Sequence, residues 1–239
     1  MSEDAEPLQA PSSSLIGGIL ADQFRLLTFR PTSPALAQHW KAYLAFGFII
    51  TGLAGIGRYW DNPRATWFQH AGLGSIAYIL FLSALLWLVY RPLRPKHWRY
   101  RNVLLFVSLC SLPAWLYAIP VERFMPMATA QSVNVWFLAI VALWRVALLY
   151  VFLRRVAGLG TGAVFVATLL PLALIIVALS LLNLEHVVFE LMAGIRPEQE
   201  TGNDQAYFVV ILLSSLSLFL LPVLLVVYGI LVYRSLRRE

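Results

Sequence analysis

Six stretches of about twenty predominantly apolar residues follow one another along the chain, at 41–58, 71–90, 102–121, 132–153, 159–183 and 206–233. A helix rises 1.5 Å per residue, so about 20 residues cross the ~30 Å hydrocarbon core of a bilayer. Six such runs in 239 residues leave no room for a large extramembrane domain. The predicted fold is all-α: a polytopic membrane helix bundle of six transmembrane helices, with both termini in the cytoplasm. Composition agrees, since the chain is 60% hydrophobic and 13% charged. A soluble domain averages roughly 45–50% and 25%.

The remaining segments are short. Residues 1–14 (MSEDAEPLQAPSSS) are acidic and rich in Pro and Ser. They lack a basic region followed by an apolar core, so they do not resemble a cleaved signal and are expected to be a disordered tail. Residues 15–40 are expected to form a cytoplasmic interfacial segment. Within it Asp22, Gln23 and Arg25 interrupt the apolar pattern of 15–29, which suits a helix lying on the membrane face. The transmembrane bundle occupies 41–233, and 234–239 is a basic cytoplasmic C-terminus. The longest connection, 184–205, is acidic, so a ligand must meet the bundle itself or its short loops.

Lys and Arg set the direction of the spans. With the amino terminus inside, 13 of the 18 basic residues fall in inner segments and only Arg58, Arg64, Arg123 and Arg196 in outer ones. The most basic stretch is the loop at 91–101 (RPLRPKHWRYR), which fits anionic lipid headgroups at the cytoplasmic face. A net charge of +6 therefore reads as topology and lipid contact, with no nucleic acid implied. Sixteen arginines against two lysines suit a GC-rich bacterial genome, and with it the inner membrane. Trp and Tyr gather near the span ends, where amphipathic rings anchor at headgroup level.

The unusual ionisable groups collect at the outer edge and at one point within the bundle. Span one ends in Arg58, Tyr59, Trp60 and Asp61, span three in Glu122 and Arg123, and span five runs into Glu185, His186 and Glu190. A helix continued over 183–194 would put His186 and Glu190 on one face, where they could hold a metal or shuttle a proton with neighbouring carboxylates. Pairing of Arg58 or Arg123 with Glu122, Glu185 or Glu190 would instead tether the loops. Arg145 stands within span four, about 13 Å from Arg154. A charge there costs at least ~2.5 kcal/mol on insertion scales and ordinarily faces the bundle interior. Its candidate partners are the hydroxyls of Tyr117, Ser111 and Thr168, and carbonyls freed by Pro113 or Pro171; snorkelling inward and anionic ligand binding both remain open.

Familiar catalytic signatures are missing: no G-x-S-x-G elbow, no P-loop, no CxxC or CxxCH, no H-E-x-x-H. Cys110 is the single cysteine and lies in an apolar run, which rules out an internal disulfide and a Cys-based metal site. All four histidines lie at or beyond span ends, which argues against haem between helices, and no cofactor is expected.

The segments WRVALLYVFLRRVAGLGTGAVFVATLLP (144–171), LLTFRPTSPA (26–35) and VSLCSLPAWL (107–116) resemble Yip1-type multi-span membrane proteins: a Trp-initiated span, a short basic turn and a Pro-bearing span. They cover about a third of the chain, which has six spans where that family usually has five. The resemblance implies a noncatalytic protein related to trafficking or scaffolding proteins, and carries over no functional residue. The leading expectation is accordingly a scaffold, recruitment or assembly factor of the inner membrane, with a membrane-protein partner or a second copy of the chain. A small transporter or ion-coupled permease using Arg145 and the outer carboxylate and His cluster is the alternative. A membrane-embedded metalloenzyme is the third.

Overall fold

The computed structural model of the protein describes residues 15–60, 65–184 and 204–237, apart from the side chains at 122, 127, 128, 131 and 204–208. All regular structure among these residues is helical. The α-helices are α1 (Leu15–Leu27), α2 (Ala35–Gln38), α3 (Trp40–Tyr59), α4 (Trp67–His70), α5 (Leu73–Tyr90), α6 (Tyr100–Leu109), α7 (Met127–Arg155), α8 (Thr161–Leu181) and α9 (Asp204–Leu236). Six segments are long and apolar enough to cross a membrane: Trp40–Tyr59, Leu73–Leu93, Tyr100–Ala118, Ser132–Arg155, Thr161–Leu181 and Val209–Leu236. They match the six apolar runs to within a few residues, because apolar length is itself what fixes a span.

Helices α5 to α8 enclose the main core, which includes Ile79, Leu86, Phe106, Val107, Leu148 and Val164. Phe106 and Phe152 stack across α6 and α7 with centroids 4.1 Å apart. Helix α3 packs on α5 and α6, while α9 packs mainly on α8. Glycines permit the close approach of α3 to its neighbours, most tightly at Gly47 and Gly72. A Cβ at Gly47 would overlap Ser108 Oγ of α6. Gly72, at the start of α5, has φ 68° and lies against the Gly52 carbonyl, a conformation and a proximity that both exclude a side chain.

The basic residues gather at one end of this bundle. The Lys96 amide donates to the Ala157 carbonyl, joining the α5–α6 and α7–α8 loops, and the Arg101 guanidinium lies 4.8 Å from the Trp40 ring. A recess of about 560 Å³ at this end is lined by Arg94, Lys96 and Arg234 with the first turn of α8. Trp98 Nε1 and Tyr228 Oη donate to the Trp87 and Val89 carbonyls, fastening loop and α9 to the end of α5.

Helix α1, in the segment expected to be interfacial, is held to the bundle by polar side chains. Two of its three polar interruptions, Asp22 and Gln23, are its most buried residues, while Arg25 and the apolar Leu15, Ile16, Leu20 and Phe24 are exposed. Gln23 Nε2 donates to the Leu109 carbonyl, 2.8 Å, so α1 is docked on the far end of α6. Asp22 accepts from the Ser33 amide (2.8 Å), Ser33 Oγ (2.5 Å) and Tyr43 Oη (2.7 Å), tying α1 to the following loop and to α3. Trp144 Nε1 donates to the Leu27 carbonyl, 3.0 Å, and Arg155 to that of Phe29.

Candidate functional site

The third span is an α-helix for only half its length. After Leu109 the chain turns and continues as a 3-10 helix over Leu112–Ala118. Pro113 explains the change: it has no N–H to give, and the Ala114 amide bonds to Ser111 rather than one residue further back. The Cys110 carbonyl is thereby left without a donor from its own helix. Arg145 Nε donates to it at 3.1 Å. Its carbonyl partner thus belongs to the class that the sequence associates with Pro113, and the Arg145 side chain crosses from α7 to span three instead of running along α7 to the basic end.

Arg145 lines a cavity of about 460 Å³ that opens toward the end of the bundle opposite the basic loops. Arg58, in the last turn of α3, lines the same cavity, with Thr51, Gln69, Ser75 and Tyr117 among the other polar walls. The Arg58 guanidinium sits 4.7 Å from the Tyr117 ring, and the Tyr117 phenol lies in the field of both arginines. Both guanidinium side chains therefore face the one cavity with like charge. None of the residues described around this cavity is Asp or Glu. Such a pair of cations in a partly desolvated pocket is stabilised by an anion between them, and acts as a fixed, pre-oriented set of donors for a carboxylate or phosphate.

The rest of the sequence-derived cluster divides. Arg123 lies 4.9 Å from the Trp60 ring, an aromatic partner where a carboxylate was one of the expected ones, and is not among the residues lining the cavity. Asp61, the Glu122 side chain, Glu185, His186 and Glu190 lie outside the described residues. At the end of α8 Asn183 adopts φ 52°, and the Leu184 and Asn183 amides close back on the Leu179 and Ser180 carbonyls. This pattern terminates α8 at Leu181. The helix considered over 183–194 lies, from 185 on, outside the described residues. Among the described residues, no three His, Cys, Asp or Glu side chains come together as a metal site.

Ser111 and Tyr78 add further hydroxyls to the cavity. Ser111 Oγ is buried without a hydrogen-bond partner, and Ser111 lines the space beside Arg145. Tyr78 and Ser75 reach it from α5. Tyr117 and Ser111 were foreseeable as groups at the depth of Arg145; Thr51, Ser75 and Tyr78 were not, since hydroxyls spread along apolar spans carry no sign of which face they occupy.

Fold and cavity together define a polytopic helical membrane protein with a cationic pocket inside its bundle. Comparison of the chain with protein-family models, curated proteins and solved structures finds no match.

Proposed function

We propose that the protein binds an anion within its bundle and serves as a small carrier or permease rather than an enzyme. The observation that carries this reading is the placement of Arg58 and Arg145 on one cavity without a described carboxylate between them. A charge at the depth of Arg145 costs several kcal/mol to insert, a cost that packing alone gives no reason to bear. In the same reading both termini face the cytoplasm of a bacterial cell and the cavity opens outward, supported by the distribution of basic residues.

The test is thermal unfolding of the detergent-purified protein with inorganic phosphate against chloride at matched ionic strength. Saturable stabilisation by phosphate at millimolar concentration, lost in Arg145→Gln and in Arg58→Gln, is expected. An identical response in the wild type and both variants would sink the reading. Flux of the bound anion in proteoliposomes, above that of protein-free vesicles, separates carriage from static binding.

A scaffolding or assembly role, with which the Yip1-type resemblance accords, is the second reading. It would use α9, where Leu212, Leu216, Phe219, Val223, Val226 and Ile230 make one stripe of a helix that is exposed and apolar on most sides. Cross-linking in membranes through this stripe, to a second copy or another membrane protein, would support it; the cationic recess at the basic end suits anionic headgroups in either reading.

A further inference from the structure

The cationic cavity does not end at Arg145. A second cavity, about 190 Å³ and almost wholly apolar, runs between α5, α6, α7 and α8 past Leu82, Phe106, Leu138 and Pro171. Tyr78, Ile79, Ser111, Tyr117 and Arg145 line both, so the two spaces adjoin along the Arg145 side chain. A polar compartment joined to an apolar one at a fixed charge matches a molecule with the same division.

We infer that the ligand is a single-chain amphiphile with an anionic head, a fatty carboxylate or an alkyl phosphate. The inference rests on the anion-binding reading of this cavity. The head lies between Arg58 and Arg145, where Ser111 Oγ gains the partner it lacks within the protein. The chain enters the apolar slot toward Pro171. At about 190 Å³ the slot is less than half the size of the cationic cavity, about 460 Å³, which suits one alkyl segment better than two side by side. Two sources share this chemistry: a free single-chain amphiphile, and a bilayer phospholipid that leaves its second chain in the membrane. The slot favours the first.

The energetics assign different tasks to the two compartments. A chain already in lipid gains little on moving into the slot, because lipid hydrocarbon is as apolar as the protein wall. The charge contact therefore supplies preference over neutral lipids, and the slot supplies shape selection. For a ligand arriving from water each buried methylene is taken out of contact with water, so the slot then adds affinity as well.

The full-length protein in zwitterionic nanodiscs, titrated with dodecyl phosphate, tests this. Saturable binding is expected, at least tenfold tighter than inorganic phosphate and tenfold tighter than dodecanol. Arg145→Gln, which can still donate to the Cys110 carbonyl, should weaken it at least tenfold. Ala142→Phe, which fills the slot from α7, should weaken dodecyl phosphate but leave inorganic phosphate unchanged. Equal affinity for inorganic phosphate overturns the amphiphile and leaves the anion carrier standing. Equal affinity for dodecanol overturns both. Tighter binding of dioleoyl phosphatidic acid than of dodecyl phosphate overturns the single-chain assignment in favour of a bilayer phospholipid. Binding that appears only after Asp61, Glu122, Glu185 and Glu190 are changed to amides shows the chain's own carboxylate filling the head site, and overturns the inference.

Discussion

Asp22 shows how much one side chain can organise in a membrane bundle. Its carboxylate is 2% exposed and receives bonds from an amide and two hydroxyls, whereas its ion pair with the half-exposed Arg25 at 3.3 Å contributes little. Burial raises the carboxyl pKa, but the bonds from Ser33 and Tyr43, the Ser33 amide and Arg25 outweigh it and hold the group below its ordinary value of 3.8. A depressed folded-state pKa gives stability that is fully present above the unfolded value and is lost as pH falls through the folded one. Asp22→Asn should therefore cost about 1–3 kcal/mol near neutral pH and flatten the acid limb of stability below about pH 4. Thermal unfolding against pH, wild type beside variant, measures both. Ser111→Ala is expected to act oppositely. Removing a buried hydroxyl without a partner should leave stability equal or raise it by up to about 1 kcal/mol, read by the same unfolding midpoint.

Among the elements, span three carries the most consequence. A continuous α-helix would have spent the Cys110 carbonyl within itself and left Arg145 without that acceptor. Pro113 was legible as an irregularity in an apolar run; that it converts the second half to a 3-10 helix, and that Arg145 takes the vacated position, depends on α7 lying alongside. Helix α1 was legible as a helix with misplaced polar residues. Which way they face was not, because a soluble helix and a lipid-covered one share the same periodicity and differ only in solvent. The α3–α6 contact has its own test. Gly47→Ala should destabilise by about 1–3 kcal/mol, since Ser108 Oγ already occupies the space and the two helices must separate. The same change at Gly229, inside α9 with nothing within 4 Å, should leave the unfolding midpoint equal or raise it, since Ala is the better helix former.

For the molecule as a whole, charge and cavity define opposite ends. Helix α7 has 29 residues, about 44 Å, and α9 has 33, about 50 Å, so both exceed the hydrocarbon thickness and must tilt or project. Reporter fusions should place both termini and the 91–99 loop on the cytoplasmic side, with 65–72 opposite. A fusion at 65–72 reporting the cytoplasm would reverse the proposed direction of the cavity mouth. Cys110, buried at 5% exposure in the core, should stay unlabelled by maleimide in intact membranes, which leaves the native chain a clean background for introduced cysteines.

The number of spans, their edges and the clustering of basic residues at alternate loops follow from the sequence alone, because apolar length and positive charge act locally on each segment. Arg145 also announced itself, as an isolated charge in an apolar run. What it faces was decided only in three dimensions. Arg58 and Tyr117 are 59 residues apart and Arg145 another 28 along, and the hydroxyls between them belong to helices whose mutual rotation no periodicity records. The cavity exists because Gly47 and Gly72 bring α3 against α6 and α5 while Pro113 opens span three toward α7, and such packing is a property of helix surfaces together rather than of any one run of residues.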